Sequence, residues 1–151
     1  MVLESIPDAP AAAVREGTRD EQRALMRAWL AEEGQTDDAI ASLMRRIDRE
    51  HAAWPEAIMV ADHDGVAAAM ATVRYAPERD VANVEDVYAA PVARGAGLGR
   101  AVTAAAARHA AEWDTDVVFI CADDTDWPKE LYGTLGFAPL ARRAQLHRAA
   151  V

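Results

Sequence analysis

Cysteine and histidine are scarce in this sequence of 151 residues, and their scarcity excludes two kinds of site. The one cysteine, Cys121, cannot form a disulfide within the chain, and it cannot build a zinc site that needs several cysteines. It falls inside an apolar run, where we expect it to pack rather than to react. The four histidines lie at positions 51, 63, 109 and 147, and no two of them have the spacing of metal ligands. We therefore expect no metal site.

Long apolar runs are also missing. The longest stretches of low polarity, residues 66–73 and 101–107, are too short to span a bilayer. Residues 1–10 have neither the basic region nor the apolar region of a secretory signal. We therefore expect a cytoplasmic protein that does not associate with membranes.

Basic residues are fewer than acidic ones. The sequence has 16 Lys and Arg against 25 Asp and Glu, which gives a formal net charge of -9. General affinity for nucleic acid needs clustered basic residues, so nucleic-acid binding is excluded as a main function. The acidic balance is compatible with a cationic or amine-bearing partner.

The residues that are present alternate between helical and strand-like patterns. Thr18 and Glu21 form a capping box before one helical face, and Thr36 caps a second helix. An Asp64-Gly65 turn then joins two strand-like runs into a hairpin. These patterns place two helices before the first hairpin, with a weakly indicated strand at residues 11–16 before them.

The second half of the sequence continues this alternation. In order, it predicts a strand ending near residue 88, a glycine-rich turn, a helix from residue 98, an apolar strand at 117–121, a short helix at 127–135 capped by Asp126, and a last strand at 140–147. The apolar strand is predicted to be covered on both faces. Together, the two halves indicate a single α/β domain with a mixed sheet. Residues 1–10 carry two prolines and are predicted to be a loose tail.

The most specific stretch is the glycine turn, residues 94–100, which reads Arg-Gly-Ala-Gly-Leu-Gly-Arg. Glycines at the start of a helix let several backbone N–H groups point at one ligand, and a helix N-terminus favours phosphate. A dinucleotide fingerprint would need glycine at position 100, and a nucleoside-triphosphate loop would need Gly-Lys-Ser/Thr. The sequence has Gly99-Arg100-Ala101, so it fits neither motif. The turn is predicted to bind a diphosphate of another kind.

Two sequence blocks together carry a resemblance to a known family. Arg94, Gly97 and Gly99 fill the pattern Q/R-x-x-G-x-G/A, and Leu131–Phe137 reads Leu-Tyr-Gly-Thr-Leu-Gly-Phe. With this spacing, the chain resembles the GNAT family of N-acetyltransferases from about Ala13 to Arg148. We therefore divide it into a tail at residues 1–12, which has no counterpart in the family, and a domain at 13–151.

The resemblance implies a fold and a donor. The fold would be a mixed, mostly antiparallel central sheet flanked by helices. The donor would be acetyl-CoA, bound as a co-substrate without a metal, with its diphosphate on the backbone of the glycine turn and its pantetheine arm lying where two strands part. The residues that this assigns to cofactor binding are Val87, Tyr88, Ala89, Arg94, Gly95, Ala96, Gly97, Leu98, Gly99, Arg100, Thr125 and Tyr132.

Two residues are candidates for catalysis. By resemblance, Tyr132 is the general acid, because a phenol stays protonated at neutral pH and can give its proton to a leaving thiolate. Glu85 is the candidate general base, since it lies on the strand before the glycine turn and can take the amine proton through water. Strand alternation predicts that Glu85 and Asp86 point to opposite faces. Asp86 remains a competitor, as does a mechanism without a side-chain base.

Some features depart from the family's pattern or leave alternatives open. Many members have Asn at the position of Thr125, which puts that cofactor contact in doubt, and the chain after Phe137 is short. The first hypothesis is an N-acetyltransferase that transfers acetyl directly to an amine of a small molecule or a protein. The second is a catalytically silent module that binds or senses acyl-CoA, and an unrelated nucleotide-binding domain is the third. A homodimer is common in folds of this type.

Overall fold

A computed structural model describes residues 1–123 and 127–142, except for the side chains of residues 50 and 51. Its elements are β1 (Val2–Leu3), β2 (Arg15–Glu16), α1 (Arg19–Glu32), α2 (Asp37–His51), β3 (Glu56–His63), β4 (Val66–Ala76), β5 (Val81–Ala89), a 3-10 turn (Pro91–Ala93), α3 (Leu98–Glu112), β6 (Val117–Ile120), α4 (Pro128–Gly133) and β7 (Phe137–Ala138). The strands form one seven-stranded sheet in the order β2-β3-β4-β5-β6-β1-β7. β5 and β6 run parallel, and the other neighbours are antiparallel. The predicted mixed, mostly antiparallel α/β fold is confirmed.

Helices α1 and α2 begin where their capping residues predict. The Thr18 hydroxyl accepts from the Glu21 N–H at 3.2 Å while the Glu21 carboxylate accepts from the Thr18 N–H at 2.8 Å, which completes the capping box. Arg15, through hydrogen bonds to the same carboxylate, and then the Thr18 N–H lower the pKa of Glu21 to about 2. Thr36 caps α2 through the Ala39 N–H. These local contacts fix where both helices start.

The sheet separates two apolar layers. On one face, α3 packs against β3, β4 and β5, and small side chains such as Ala106 and Ala107 let it approach closely. On the other face, α1 and α2 cover a second cluster that contains Met44, Val60 and Met70. Each fully buried side chain of this size contributes about 1.5–3 kcal/mol to folding.

The beginning of the chain does not form the loose tail that the prolines predicted. Val2 pairs with Phe119 of β6 and with Ala138 of β7, so β1 lies between these two strands. The Glu4 N–H also donates to the carbonyl of Gly136 at 2.9 Å. Gly136 has φ +89°, and a Cβ there would overlap the Ser5 carbonyl oxygen, so glycine is required for this approach. The prediction failed because two apolar residues are enough to form a strand when a neighbouring strand pairs with each of its edges.

Other predicted elements differ in extent. The strand predicted at residues 11–16 is reduced to β2, Arg15–Glu16, and α4 ends at Gly133 rather than near residue 135. Cys121 is exposed because β6 ends at Ile120, so the prediction that Cys121 packs inside the strand is wrong. The predicted cap Asp126 and residues 143–147 of the predicted last strand lie outside the described residues. In β6, Val118 and Ile120 are buried whereas Val117 and Phe119 are half-buried, so coverage of the two faces is unequal.

Among the helices of the described residues, none has the length and apolar character required to cross a bilayer.

Candidate functional site

Strands β5 and β6 part in the middle of the sheet. Their ladder runs from the Val81–Val117 pair to the Val84–Ile120 pair, where β6 ends. β5 continues for five more residues to Ala89, and its other edge stays paired with β4 through Ala69. The segment that contains Val87, Tyr88 and Ala89 therefore extends past the neighbouring strand, and this opening is the cleft of the candidate site.

A β-bulge shapes the start of the cleft. Along β4 and β5, Met70 pairs with Tyr88 but Thr72 pairs with Glu85, so β5 contains one extra residue. Asp86 takes φ +52°, in the left-handed region. Such a conformation costs about 1–3 kcal/mol for a residue other than glycine, and it is typical of functional sites. The bulge reorients the side chains that follow Val84.

The bulge overturns one prediction. Arg74 on β4 places Nη1 2.5 Å from Glu85 Oε1 and Nη2 3.6 Å from Asp86 Oδ2. Both carboxylates therefore reach one guanidinium, and the prediction that they point to opposite faces is wrong. Alternation fails here because the left-handed residue breaks the period of two on which it depends. Glu85 and Arg74 are 26% and 17% exposed, and the paired oxygen, Glu85 Oε1, is itself buried.

Arg74 belongs to a larger polar cluster that the sequence did not reveal. Its Nε lies 3.5 Å from Glu56, which in turn accepts a hydrogen bond from Arg19 at 2.6 Å. Gln22 of α1 donates to Thr72 at 2.8 Å, and both residues are buried. The cluster joins α1 to β3, β4 and β5 beneath the cleft. Arg74, a lone charge in the second strand-like run of the predicted hairpin, was the signal for it in the sequence, and its partners depended on the register between strands.

A second set of contacts links α1 to β5 and to the glycine turn. The Tyr88 ring stacks on Trp29, with centroids 5.7 Å apart, and its hydroxyl donates to Glu32 at 3.2 Å. Burial and then this hydrogen bond raise the pKa of the Tyr88 phenol above its ordinary value, so the hydroxyl remains a donor at neutral pH. Glu32 also accepts from Arg94 Nη2 at 2.5 Å, and Arg94 Nε donates to the Ala89 carbonyl at 3.1 Å. Glu32 thus ties the end of α1 to the glycine turn, a contact that the sequence did not predict.

The glycine turn has the predicted form. After the 3-10 turn, Gly95 and Gly97 take φ +81° and +76°, and Gly97 is the N-cap of α3. No acidic residue occupies the first turn of α3, and no atom outside the turn would meet a Cβ at Gly95, Gly97 or Gly99. The Arg100 side chain extends away from α3 and donates to the Thr134 hydroxyl at 2.5 Å and to the Thr134 carbonyl at 3.3 Å. The open backbone and the helix dipole suit an anion.

Tyr132 lies on α4. Its side chain is 7% exposed, and it shares one apolar cluster with Val84 and Ile120, the last pair before the strands part. Its ring meets Phe137 edge to face, with centroids 6.3 Å apart. Of the remaining predicted site residues, Ala96 and Leu98 lie in the glycine turn, whereas Thr125 lies outside the described residues. β5 therefore carries Glu85 at the bulge and leads through the 3-10 turn into the glycine turn, while Tyr132 belongs to the apolar cluster on the α3 side of the sheet.

The described residues contain no group of His, Cys, Asp and Glu side chains that would hold a metal ion. The carboxylates at the cleft are instead balanced by arginine, as in the Glu85–Arg74 pair.

Comparison with solved structures identifies the architecture. A putative acetyl transferase from Pyrococcus furiosus superposes with a TM-score of 0.74 at 14% identity, covering 91% of this chain and 99% of that chain. Glucosamine-6-phosphate N-acetyltransferase from Arabidopsis thaliana gives 0.63 at 19% identity, with 89% and 97% covered. A predicted acetyltransferase with acetyl-CoA from Clostridium acetobutylicum gives 0.65 at 16% identity, with 89% and 95% covered. These likenesses establish the fold.

Sequence comparison identifies the family. A search of curated proteins finds no match to this sequence. Residues 18–137 match the acetyltransferase (GNAT) family, and this range includes both the glycine turn and Tyr132. The two motifs, the parted strands and this match agree, and the chain belongs to the GNAT family of acetyltransferases.

Proposed function

We propose that this protein is an acetyl-CoA-dependent N-acetyltransferase that transfers acetyl directly to an amine. The observation that carries the proposal is the parting of β5 and β6 next to the glycine turn. Because β5 runs on past Val84, its main chain can bond an extended donor in place of the missing strand. Family membership supports this donor, and so does the Clostridium structure, which was solved with acetyl-CoA.

The donor would be held by backbone groups. The N–H groups of residues 94–100 would bind the coenzyme diphosphate, aided by the positive end of α3. Val87, Tyr88 and Ala89 would bond the pantetheine arm, and a main-chain N–H there would polarise the thioester carbonyl. The Arg94 guanidinium lies against the Ala89 carbonyl, so it would border both the diphosphate and the pantetheine arm of the donor.

The reaction would proceed in one transfer without a covalent enzyme intermediate. The amine nitrogen attacks the carbonyl carbon of the thioester and forms the C–N bond, and the tetrahedral intermediate then expels the sulfur as the C–S bond breaks. The departing thiolate takes the hydroxyl proton of Tyr132, and the ammonium proton of the intermediate leaves through water to Glu85. Solvent then returns a proton to Tyr132 and accepts one from Glu85, and the products are an acetamide and coenzyme A.

Glu85 has a neighbour that suits this role. The Arg74 guanidinium, 2.5 Å from the carboxylate, fixes the position of the carboxylate, which would attract a cationic amine and accept a proton through water. Asp86 shares the same arginine and is the competing base. The acceptor would approach from the face of α1, where Trp29 and Glu32 border the cleft. A protein with a net charge of -9 favours a cationic amine, on a small molecule or a protein.

An acceptor screen tests the proposal. The protein is incubated with acetyl-CoA and a panel of amines that includes polyamines, amino sugars and lysine peptides, and release of the free thiol is followed. We expect thiol release that depends on one class of amine. Acetyl-CoA binding without thiol release across the panel would instead identify a silent acyl-CoA-binding module. Failure to bind acetyl-CoA would overturn the donor site.

The role of Glu85 predicts a change in pH dependence. Glu85→Gln should lower kcat/KM mainly at low pH, by roughly 10²-fold, because hydroxide is scarce there and the ammonium proton of the intermediate needs a base. At high pH hydroxide can take that proton, so the variant should approach the wild-type rate. The measurement is the pH–rate profile with a responsive amine, and Glu78→Gln, an exposed carboxylate in the β4–β5 loop, is the matched control. An unchanged profile would place the base elsewhere, and Asp86→Asn would test the competitor.

A further inference from the structure

A cavity of about 480 Å³ lies beside the glycine turn, on the outer side of α3. One wall is the segment Ser5–Ala12, which we call the strap, and the facing wall comes from α3 and from residues 134–136. The strap precedes residue 18, where the match to the acetyltransferase family begins. This cavity is therefore built in part by a segment that the family match does not include.

The first half of the strap is fixed by contacts with Gly136 and with α3. At one end, the Glu4 N–H donates to the Gly136 carbonyl, and Ser5 packs where a side chain at Gly136 would stand. Farther along, Arg108 Nη1 donates to the Pro7 carbonyl at 3.0 Å, and Pro7 is buried. The strap therefore crosses α3 as an ordered covering, and the space beneath it has a defined wall.

The chemistry of the walls indicates what would fit. Ala96 and Gly97 of the glycine turn line the cavity, so it continues the proposed diphosphate site. Arg100 adds a guanidinium at that end, and Asp8 on the strap offers a carboxylate to a hydroxyl or an amino group. Ala101 and Ala104 leave room for a flat ring against α3. The volume is that of a small-molecule site.

From this we infer that the strap and the outer face of α3 bind the nucleotide end of the donor, so that Ser5–Ala12 helps the protein select a nucleotide-bearing thioester. This inference rests on the proposed function, because a donor diphosphate in the glycine turn leads its nucleoside into the cavity. The strap would then contribute to donor affinity without touching the thioester.

The test compares two donors in variants of the cavity. Acetyl-CoA carries the nucleotide, whereas S-acetyl-4′-phosphopantetheine ends at its first phosphate and lacks the nucleoside that would fill the cavity. Ala104→Leu puts a larger side chain into the space under the strap, and we expect it to raise Kd for acetyl-CoA by roughly tenfold or more. Kd for the short donor should change less than about twofold. The matched control is Ala111→Leu, a half-buried position of α3 outside the cavity lining.

A second variant guards against a folding defect. Arg108→Gln removes the hydrogen bond to Pro7 and adds no volume, and it should weaken acetyl-CoA binding but spare the short donor. Thermal unfolding checks that each variant is folded. Equal losses for both donors, or no loss for either, would overturn the role of the strap. If the wild-type protein binds neither donor, the proposed function fails instead, so the two failures are distinguishable.

Discussion

Gly97→Glu is expected to abolish binding of acetyl-CoA, with Kd raised by at least about 10²-fold, while the protein remains folded. Gly97 is the N-cap of α3, and its N–H is one of the backbone groups assigned to the diphosphate. A glutamate there adds a carboxylate at the position of a dianion and fills space that is open in the structure. Electrostatic repulsion and steric exclusion of the diphosphate act together, which makes this one of the two largest effects that we expect.

The control must reproduce the backbone cost of the substitution. A side chain at φ +76° is strained by about 1–2 kcal/mol whatever its chemistry. Gly65→Glu makes the same change at φ +79°, in the β3–β4 turn, where a Cβ also meets nothing within 4 Å. Both variants should lose similar thermal stability, measured by unfolding, and only Gly97→Glu should lose donor binding, measured by calorimetry. Unchanged affinity in Gly97→Glu would remove the glycine turn from the donor site.

Features set by neighbours in sequence were predictable. The capping box needs only Thr18 and Glu21, three residues apart, so its helix began where expected. The glycine turn is equally local, because the left-handed conformations at Gly95 and Gly97 depend on the residues themselves. The hairpin at Asp64-Gly65 formed for the same reason.

Features set by partners far along the chain were not predictable. The strand at Val2–Leu3 exists because β6 and β7 leave a place between them, and its register depends on residues more than 100 positions away. The shared contact of Glu85 and Asp86 with Arg74 depends on a bulge that β4 imposes on β5. Glu32 reaches Arg94 across 62 positions. At this site the sequence predicted the glycine turn, and tertiary pairing determined how Glu85 is held.

Tyr132→Phe should lower the rate of acetyl transfer by roughly 10²–10³-fold and leave Kd for acetyl-CoA nearly unchanged, because it removes only the proton offered to the leaving thiolate. The ring is buried against Phe137, and phenylalanine keeps that contact, so the fold and the donor site should persist. Single-turnover rates at saturating donor and amine are the right measurement, since slow product release would hide a change in the chemical step.

Tyr75→Phe is the matched control: it removes a hydroxyl that donates to Asp80 on the β4–β5 loop, and it should transfer acetyl at the wild-type rate. Full activity in Tyr132→Phe would exclude the acid role, whereas a large rise in Kd would identify Tyr132 as a residue that holds the donor rather than one that protonates it.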